Sequence, residues 1–308
     1  MKYALLFPGQ GSQAIGMLGA LAHPEVGATF SEASAALGWD VGALVQSGPV
    51  EQLNRTEFTQ PTLLAAGVAV WRVWRKLDAP APTALAGHSL GEYTALVAAG
   101  SLDFADALKL VELRGRLMQT AVPEGSGGMA AVIGLDDAAV EKLCAGYAGG
   151  VLEAVNYNAP GQVVVAGDSA GLDWLAANAK GAGARMVMRL PVSVPSHCSL
   201  MKRAADQLAA QLARTQMRSP TIPVYHNLDA SPHAALDEIR SALHQQLFKP
   251  VRWTATIQRL ASEGIGAFVE CGPGKVLTGL TKRIAPQTKF LALEDPEIHA
   301  QALELARA

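Results

Sequence analysis

The sequence predicts an α/β fold in which a small ferredoxin-like domain is inserted into a large domain built on a parallel β-sheet. Short apolar segments typical of buried strands alternate with helical patterns in the N-terminal part of the chain, and this pattern changes between residues 125 and 192. Alternating strands and helices favour a parallel sheet covered by helices, with functional loops at the carboxyl ends of its strands. We therefore predict a large domain from residues 1–124 and 193–308, and a small domain from residues 125–192.

The first elements of the large domain are a strand, a turn and a long helix. The apolar segment Tyr3–Phe7 is typical of a buried strand, and the glycine-rich residues 8–13 form a turn after it. A helical pattern then runs from residue 61 to residue 77. It starts with Pro61, whose missing N–H is not needed in the first turn of a helix, and it ends in basic residues that favour a helix C-terminus.

The next predicted strand, residues 83–86, leads into a G-x-S-x-G pattern at residues 87–91, and a helical pattern that ends at Gly100 follows. A strand, a tight turn and a helix in this order lift a serine hydroxyl above the edge of the sheet, and the glycines allow the turn to pack closely. We therefore predict an α/β-hydrolase-like large domain with Ser89 as a nucleophile. Taken alone, the pattern also fits an ordinary turn in a chain with 30 glycines.

The small domain is predicted from the order of its elements, which is βαββαβ, as in ferredoxin-like domains. The elements are a strand over residues 129–135, a helix over 137–146, strands over 151–157 and 162–166, a helix over 169–182 and a strand over 184–190. Residues 124–128 and 191–195 are rich in glycine or proline and are predicted to be hinges at the two ends of this domain.

Composition limits the class of protein. Of the 308 residues 50% are hydrophobic and only 17% are charged, which indicates a sizeable buried core. No apolar run approaches the roughly 20 residues of a membrane helix, and the segment before Pro8 is too short for the core of a signal peptide. We therefore expect a cytoplasmic protein without a membrane segment. The formal net charge of -2 argues against nucleic acid as a partner.

The three cysteines are far apart in the sequence and form no C-x-x-C pair. We expect Cys144, Cys198 and Cys271 to be reduced, mostly buried and not catalytic, and we predict no zinc site.

A serine nucleophile needs a base within hydrogen-bond reach. His197 follows a proline-rich extended segment at the predicted return from the small domain, and we predict that it is this base. His88 is the weaker alternative, since adjacent side chains at such a turn usually diverge. Four histidines in polar, helix-like or terminal contexts are expected to be solvated: His23, His233, His244 and His299.

A hydrolase-like triad would add a carboxylate between the serine and the histidine in chain order. Asp168 and Asp173 fall in this interval, but the first lies in a predicted turn and the second in a small-domain helix. The oxyanion of an acyl transfer would need backbone donors, for which we predict the N–H groups of Leu90 and Gln10. The turn around Gln10 could instead bind phosphate, although no G-x-G-x-x-G pattern or Walker lysine follows it.

Six motifs in one order make the chain similar to the malonyl-CoA:acyl carrier protein transacylases of fatty acid synthesis, from Phe7 to at least Ile284. The motifs are Phe7-Pro8-Gly9-Gln10-Gly11-Ser12-Gln13, Gly87-His88-Ser89-Leu90-Gly91-Glu92-Tyr93, Arg114-Gly115-Arg116, Asn156-Tyr157-Asn158-Ala159-Pro160-Gly161-Gln162, Ser193-Val194-Pro195-Ser196-His197 and Gly272-Pro273-Gly274-Lys275.

This resemblance implies a ping-pong malonyl transfer from malonyl-CoA to the phosphopantetheine thiol of acyl carrier protein, with no metal or bound cofactor. It implies that Ser89 and His197 form a dyad and that the backbone carbonyl of Gln246 orients the histidine. It also implies that Arg114 binds the malonyl carboxylate through a planar pair of donors. Spacing alone would allow Arg114 to lie on the surface of its helix, and Arg116 is expected to face elsewhere.

Other residues are weaker candidates. The acyl pocket is predicted to include Gln60, Asn158 and Ser196. Lys202 and Arg203 are predicted to contact coenzyme A phosphates or the acidic carrier protein, or else to be solvated. Five further basic residues are weaker candidates for the same contacts: Arg72, Arg75, Lys76, Lys282 and Arg283.

Three alternative functions stay open from sequence. A serine esterase or thioesterase would use water as the acceptor, and a non-catalytic module would only dock a carrier protein. The malonyl group could also serve a polyketide or malonate decarboxylase system.

Overall fold

Two β-sheets organise the chain, and the computed structural model describes them within residues 1–192 and 194–308. The first sheet is parallel, with strand order β7-β2-β1-β8-β9. The second is antiparallel, with strand order β4-β5-β3-β6. Their strands are β1 (Tyr3–Phe7), β2 (Ala84–Gly87), β3 (Gly127–Ile133), β4 (Leu152–Ala159), β5 (Gln162–Asp168), β6 (Met186–Arg189), β7 (Val224–Tyr225), β8 (Ala267–Glu270) and β9 (Lys289–Ala292).

Helices cover both faces of the parallel sheet and one face of the antiparallel sheet. They are α1 (Pro24–Leu37), α2 (Val41–Ser47), α3 (Val50–Leu53), α4 (Thr56–Lys76), α5 (Gly91–Ala98), α6 (Phe104–Gln119), α7 (Asp137–Ala145), α8 (Ser169–Asn178), α9 (Lys202–Arg214), α10 (Leu236–Gln246), α11 (Trp253–Ser262), α12 (Val276–Ile284) and α13 (His299–Arg307). Two single 3-10 turns, Ser199–Met201 and Pro296–Ile298, precede α9 and α13. No helix in the described part of the chain has the length and apolar character needed to cross a membrane.

The parallel sheet lies between two hydrophobic cores. Side chains of β1 alternate between them, because Leu5 and Phe7 join the larger core while Ala4 and Leu6 join the smaller one. All five β1 residues are buried, as expected for a strand covered on both faces. In the larger core α4 packs against α6.

The antiparallel sheet has the ferredoxin-like order β3-α7-β4-β5-α8-β6. Its outer face packs against α7 and α8. Its inner face includes Met129 and Val164 and packs against Cys198, the residue after His197. The predicted fold class is confirmed. The exact domain boundaries stay a prediction, and Ser193, the first residue of the predicted second segment of the large domain, lies outside the described residues.

Some predicted element boundaries are wrong by a few residues. The long helix begins at Thr56, five residues before Pro61, because Thr56, Thr59 and Gln60 are buried against the core and packing extends the helix. Helix α8 ends at Asn178, and Ala184 closes the following turn by donating its N–H to the Ala179 carbonyl (2.9 Å). Strand β6 therefore begins at Met186, two residues later than predicted.

Candidate active site

Ser89 lies in the turn between β2 and α5, in an unusual backbone conformation. Its φ angle is +52°, in the left-handed region that non-glycine residues rarely adopt. The turn passes very close to β1: a Cβ atom on Gly91 would lie 2.0 Å from the Phe7 carbonyl oxygen, and one on Gly87 would lie 1.9 Å from the Gly91 carbonyl carbon. Glycine is therefore required at both positions for the turn to hold Ser89 at the carboxyl end of β2.

Ser89 and His197 form a hydrogen-bonded pair. Ser89 Oγ lies 2.8 Å from His197 Nε2, and His197 Nδ1 lies 2.6 Å from the backbone oxygen of Gln246. A carbonyl oxygen can only accept a hydrogen bond, so the Nδ1 atom carries the proton and Nε2 presents its lone pair to the serine hydroxyl. The pair has the arrangement that proton transfer from Ser89 to His197 requires.

His197 is only 2% exposed and also has a left-handed backbone, with φ of +66°. Burial, together with the positive charge of Arg114, lowers the pKa of His197 to about 3. The imidazole is therefore neutral near pH 7, which is the form able to accept a proton.

Arg114 points into the same site from α6. Its side chain is buried, with a residue exposure of 1%. Arg114 Nη1 donates to Gln60 Oε1 (2.7 Å), while Nη2 donates to Gln246 Oε1 (2.9 Å) and to Ser89 Oγ (3.2 Å). The surface interpretation of Arg114 is wrong, whereas its neighbour Arg116 is exposed as expected.

The setting of Arg114 suits an anionic ligand. Its guanidinium lies 5.4 Å from the centre of the Tyr93 ring, and burial lowers the pKa of the arginine from its ordinary value. The oxygens that accept from Nη1 and Nη2 belong to two neutral amides and a hydroxyl. A buried cation held by neutral groups is stabilised by an incoming carboxylate.

These groups open into a pocket of about 90 Å³. Its lining residues are Gln10, Gln60, His88, Ser89, Leu90, Arg114, Met118, Met129, Asn156, Leu190, Val192, Ser196 and His197. Leu90 is the N-cap of α5, a position whose N–H has no acceptor within the helix. Both predicted oxyanion donors, Gln10 and Leu90, thus border the pocket, and their role stays a prediction.

The structure separates Asn158 from the other predicted pocket residues. Gln60 and Ser196 line the pocket. Among the described residues, the residue of β4 that lines the pocket is Asn156 and not Asn158. Asn158 Oδ1 is 2.8 Å from His88 Nε2, and the His88 ring lies beside Trp253 with ring centres 5.5 Å apart. The side chain of His88 therefore bonds away from the serine hydroxyl, as expected for its place in the turn.

Three buried polar residues behind Ser89 were missed by sequence analysis: Glu92, His226 and Asn227. Asn227 Oδ1 accepts from the Ser89 N–H (2.7 Å), and Glu92 Oε1 lies 2.7 Å from His226 Nδ1. Two signals could have found them. Glu92 is an acid within an apolar helix, and His226 and Asn227 directly follow the parallel strand β7.

The two aspartates considered for a triad bond elsewhere. Asp168 caps α8, because its carboxylate accepts from the N–H groups of Gly171 and Val151 (both 2.7 Å). Asp173 pairs with Arg189 on the surface (2.6 Å).

The weaker basic candidates lie on the surface, and several are already paired. Lys202 pairs with Asp206, and Arg72 pairs with Glu32 (2.6 Å). Arg283 donates to the Pro160 carbonyl (2.9 Å). The remaining ones are exposed: Arg75, Lys76, Arg203 and Lys282.

The three cysteines are free and buried. Burial raises the pKa of Cys198 to about 12, so this thiol beside His197 stays protonated at neutral pH. Within residues 1–192 and 194–308, no group of three or more His, Cys, Asp or Glu side chains is arranged to hold a metal ion.

Comparison with known proteins agrees with this geometry. The family described as "Acyl transferase domain" matches residues 4–289. The malonyl CoA-acyl carrier protein transacylase of Escherichia coli K12 is 54% identical over 307 residues, covering 99% of each chain. The chain belongs to the malonyl-CoA:acyl carrier protein transacylase family.

Solved transacylase structures have the same fold. An acyl carrier protein S-malonyltransferase from Vibrio cholerae is 54% identical, with a TM-score of 0.92 over 95% of this chain and 96% of that chain. A malonyl-transacylase solved in complex with a type II PKS acyl-carrier protein is 50% identical, with a TM-score of 0.97 over 99% of this chain and 100% of that chain.

Proposed function

We propose that this protein transfers malonyl from malonyl-CoA to the phosphopantetheine thiol of acyl carrier protein, through a malonyl ester on Ser89. The observation that carries the proposal is the buried guanidinium of Arg114, which lies 3.2 Å from the hydroxyl of the Ser89–His197 pair. Family membership supports the same activity. The acyl group is thus expected to have a carboxylate close to its thioester carbon.

In the first half-reaction, Ser89 Oγ attacks the thioester carbon as its proton moves to His197 Nε2. The carbonyl becomes an oxyanion, and we assign its donors to the N–H groups of Leu90 and Gln10. One such donor typically stabilises the transition state by about 2.7–4 kcal/mol. The intermediate then collapses, the C–S bond breaks, and His197 returns the proton to the departing thiolate of coenzyme A.

Arg114 holds the far end of the malonyl group in both half-reactions. The malonyl carboxylate is separated from the reacting carbon by one methylene, and Arg114 Nη2 is close enough to Ser89 Oγ to match this short spacing. A planar guanidinium can bind the carboxylate with two parallel hydrogen bonds. Acetyl has no charge to place there, so this contact selects malonyl.

In the second half-reaction the thiol of the carrier protein attacks the malonyl-Ser89 ester. His197 takes the proton from this thiol and gives it to Ser89 Oγ as the ester bond breaks, which restores the free enzyme.

We assign the wall for the pantetheine arm to the small sheet. Leu190 and Val192 line the pocket. Met186 and Met188 are at every second position before Leu190, so along β6 they lie on one face of the strand. The two methionines are 50% and 48% exposed, so an apolar arm would cover them.

Two alternatives are distinguished by the acceptor. A thioesterase would pass the acyl group to water. In a hydrolase triad a carboxylate orients the histidine, but here the backbone carbonyl of Gln246 orients His197. A polyketide carrier protein is the second candidate acceptor, favoured by the solved complex of a similar transacylase with such a protein. We favour the carrier protein of fatty acid synthesis, and a cytoplasmic location stays a prediction.

The test is intact-mass measurement after mixing the protein with malonyl-CoA. We expect one malonyl adduct, located by peptide mapping on the peptide that contains Ser89 and absent from Ser89→Ala. Addition of holo acyl carrier protein should remove the adduct and give malonyl carrier protein. An adduct that persists in Ser89→Ala, or release of free malonate instead of transfer, would contradict the proposal.

A further inference from the structure

The unusual backbone of Ser89 is held at its N–H group by a buried side chain. Asn227, with 0% exposure, comes two residues after the end of β7. Its Oδ1 accepts from the Ser89 N–H (2.7 Å), and its Nδ2 donates to the Gly87 carbonyl (2.7 Å). The amide therefore bonds to the backbone on both sides of His88 and fixes the turn at the conformation that presents the serine hydroxyl.

Asn227 is in turn held by Glu92. Glu92 Oε2 accepts from the Asn227 N–H (2.9 Å) and from Gln246 Nε2 (2.9 Å), while its Oε1 bonds to His226 Nδ1 (2.7 Å). Glu92 and His226 are both fully buried. The Glu92 carboxylate thus holds the backbone N–H of Asn227 and the side-chain amide of Gln246, which approach Ser89 from different segments of the chain.

The Gln246 side chain extends this network to the substrate side. Its Nε2 also donates to the Ser89 carbonyl (3.0 Å), and its Oε1 accepts from Arg114 Nη2 (2.9 Å). Glu92 is therefore connected through one side chain, that of Gln246, to both the Ser89 carbonyl and the guanidinium of Arg114.

We propose that Asn227 and Glu92 are positioning residues for acyl transfer: Asn227 sets the backbone of Ser89, and Glu92 orients Asn227 and, through the Gln246 amide, Arg114. This inference rests on the proposed function. Neither residue accepts the hydroxyl proton of Ser89, since the hydrogen bonds of Ser89 Oγ are to His197 and Arg114. A shift of about 1 Å in a reacting group can slow a reaction about 100-fold.

The two positions predict different kinetic signatures. Asn227→Ala should slow malonylation of Ser89 by about 100-fold, with the KM for malonyl-CoA and the preference for malonyl over acetyl unchanged. Glu92→Ala should slow malonylation and also reduce the malonyl preference, because it removes one acceptor of Gln246 Nε2 and so loosens the amide whose Oε1 accepts from Arg114. Glu92→Gln should recover part of both losses, since its amide oxygen can still accept from the Asn227 N–H and from Gln246 Nε2.

The experiment measures single-turnover malonylation of each folded variant by rapid quench and mass spectrometry, together with thermal unfolding. The matched control is Thr256→Val, which removes the hydrogen bond of another fully buried residue, from Thr256 Oγ1 to the Arg252 carbonyl (3.0 Å), away from the pocket. We expect it to be destabilised but to malonylate at the wild-type rate.

Three results would overturn the inference: wild-type malonylation in Asn227→Ala, a loss no greater than that of Thr256→Val, or a loss confined to KM. Failure of the proposed function would differ, because the wild-type protein itself would then form no malonyl ester on Ser89.

Discussion

The two sheets contribute different kinds of residue to one pocket. Elements packed on the parallel sheet supply buried polar groups, such as Ser89 and Arg114, each fixed by several hydrogen bonds. The antiparallel sheet and residues 190–192 after it supply mainly apolar surface: Met129, Leu190 and Val192. Groups that must be placed within tenths of an ångström lie on the first side, and contacts that tolerate displacement lie on the second. Substitutions on the two sides should therefore differ strongly in effect.

The largest effect is expected from His197→Ala, on the polar side. Loss of the base bonded to Ser89 should lower kcat by roughly 10²–10⁴-fold, the usual contribution of general acid–base catalysis. Asp168→Asn and Asp173→Asn, both on the small-sheet side, should stay near wild type because neither carboxylate bonds to His197. Steady-state kinetics with malonyl-CoA and holo carrier protein measures all three, and a comparable loss from either aspartate change would favour a hydrolase-like triad.

Arg114→Ala should reverse the choice of acyl group. Removing one partner of a buried charge pair costs roughly 3–5 kcal/mol, so most malonyl transfer should be lost while acetyl transfer is kept or increased. Arg114→Lys should be intermediate at best, because a point charge cannot reproduce two parallel bonds. The decisive quantity is the ratio of kcat/KM for malonyl-CoA over acetyl-CoA, and an unchanged ratio in Arg114→Ala would rule out carboxylate recognition by this residue.

The acid limb of the pH profile should lie well below the ordinary histidine range. The base is the neutral imidazole, and the native pKa of His197 is about 3, so malonylation should not fall as the pH drops through 6.5. A half-maximal rate near pH 6.5 would show instead that His197 is solvated in the working enzyme.

The same shift contributes to stability with a defined sign. Below about pH 6.5 the unfolded chain protonates this histidine while the native protein does not. The contribution of neutral, buried His197 to the free energy of unfolding is therefore fully present above pH 6.5 and is lost as the pH falls toward 3. Chemical denaturation of wild type and His197→Ala across this range should show a smaller acid loss in the variant.

The smallest effect is expected on the apolar side, from Met186→Gln and Met188→Gln. Each should raise the KM for malonyl-CoA about threefold, equivalent to less than 1 kcal/mol, since only part of one side chain loses apolar contact. Malonyl-N-acetylcysteamine lacks the distal arm, so its kcat/KM should be unchanged. Val50→Gln, at a position 47% exposed on α3, serves as the control. Equal losses with both donors would place the methionines outside the path of the arm.

The sequence predicted the reacting residues on the polar side of the pocket better than the residues that hold them in place. The glycines around Ser89 and the extended segment before His197 are local signals, and both residues lie as expected relative to each other. The place of Arg114 in the site was predicted only through the family resemblance, because helical spacing does not show whether one charged residue faces the core or the solvent. The local signal for Asn227 was limited to its place just after the short strand β7, because the role of a buried amide depends on the distant backbone groups that it bonds.

The exact wall of the pocket was also hidden from sequence. Asn156 and Asn158 are two residues apart on β4, and an ideal strand would place both on one face. The pairing of β4 with β5 shifts between Ala154 and Asn156 and again between Tyr157 and Ala159. Such irregularities re-aim side chains, and here Asn158 bonds to His88 while Asn156 lines the pocket.

The left-handed backbone at Ser89 and His197 has a consequence for how this sequence can evolve. A strained non-glycine residue costs roughly 1–3 kcal/mol, and glycine would relieve that cost at either position. Selection for thermal stability alone would therefore favour the loss of both reacting side chains. A more heat-resistant enzyme has to gain its stability at other positions, because Ser89 and His197 are strained residues that the activity protects from replacement.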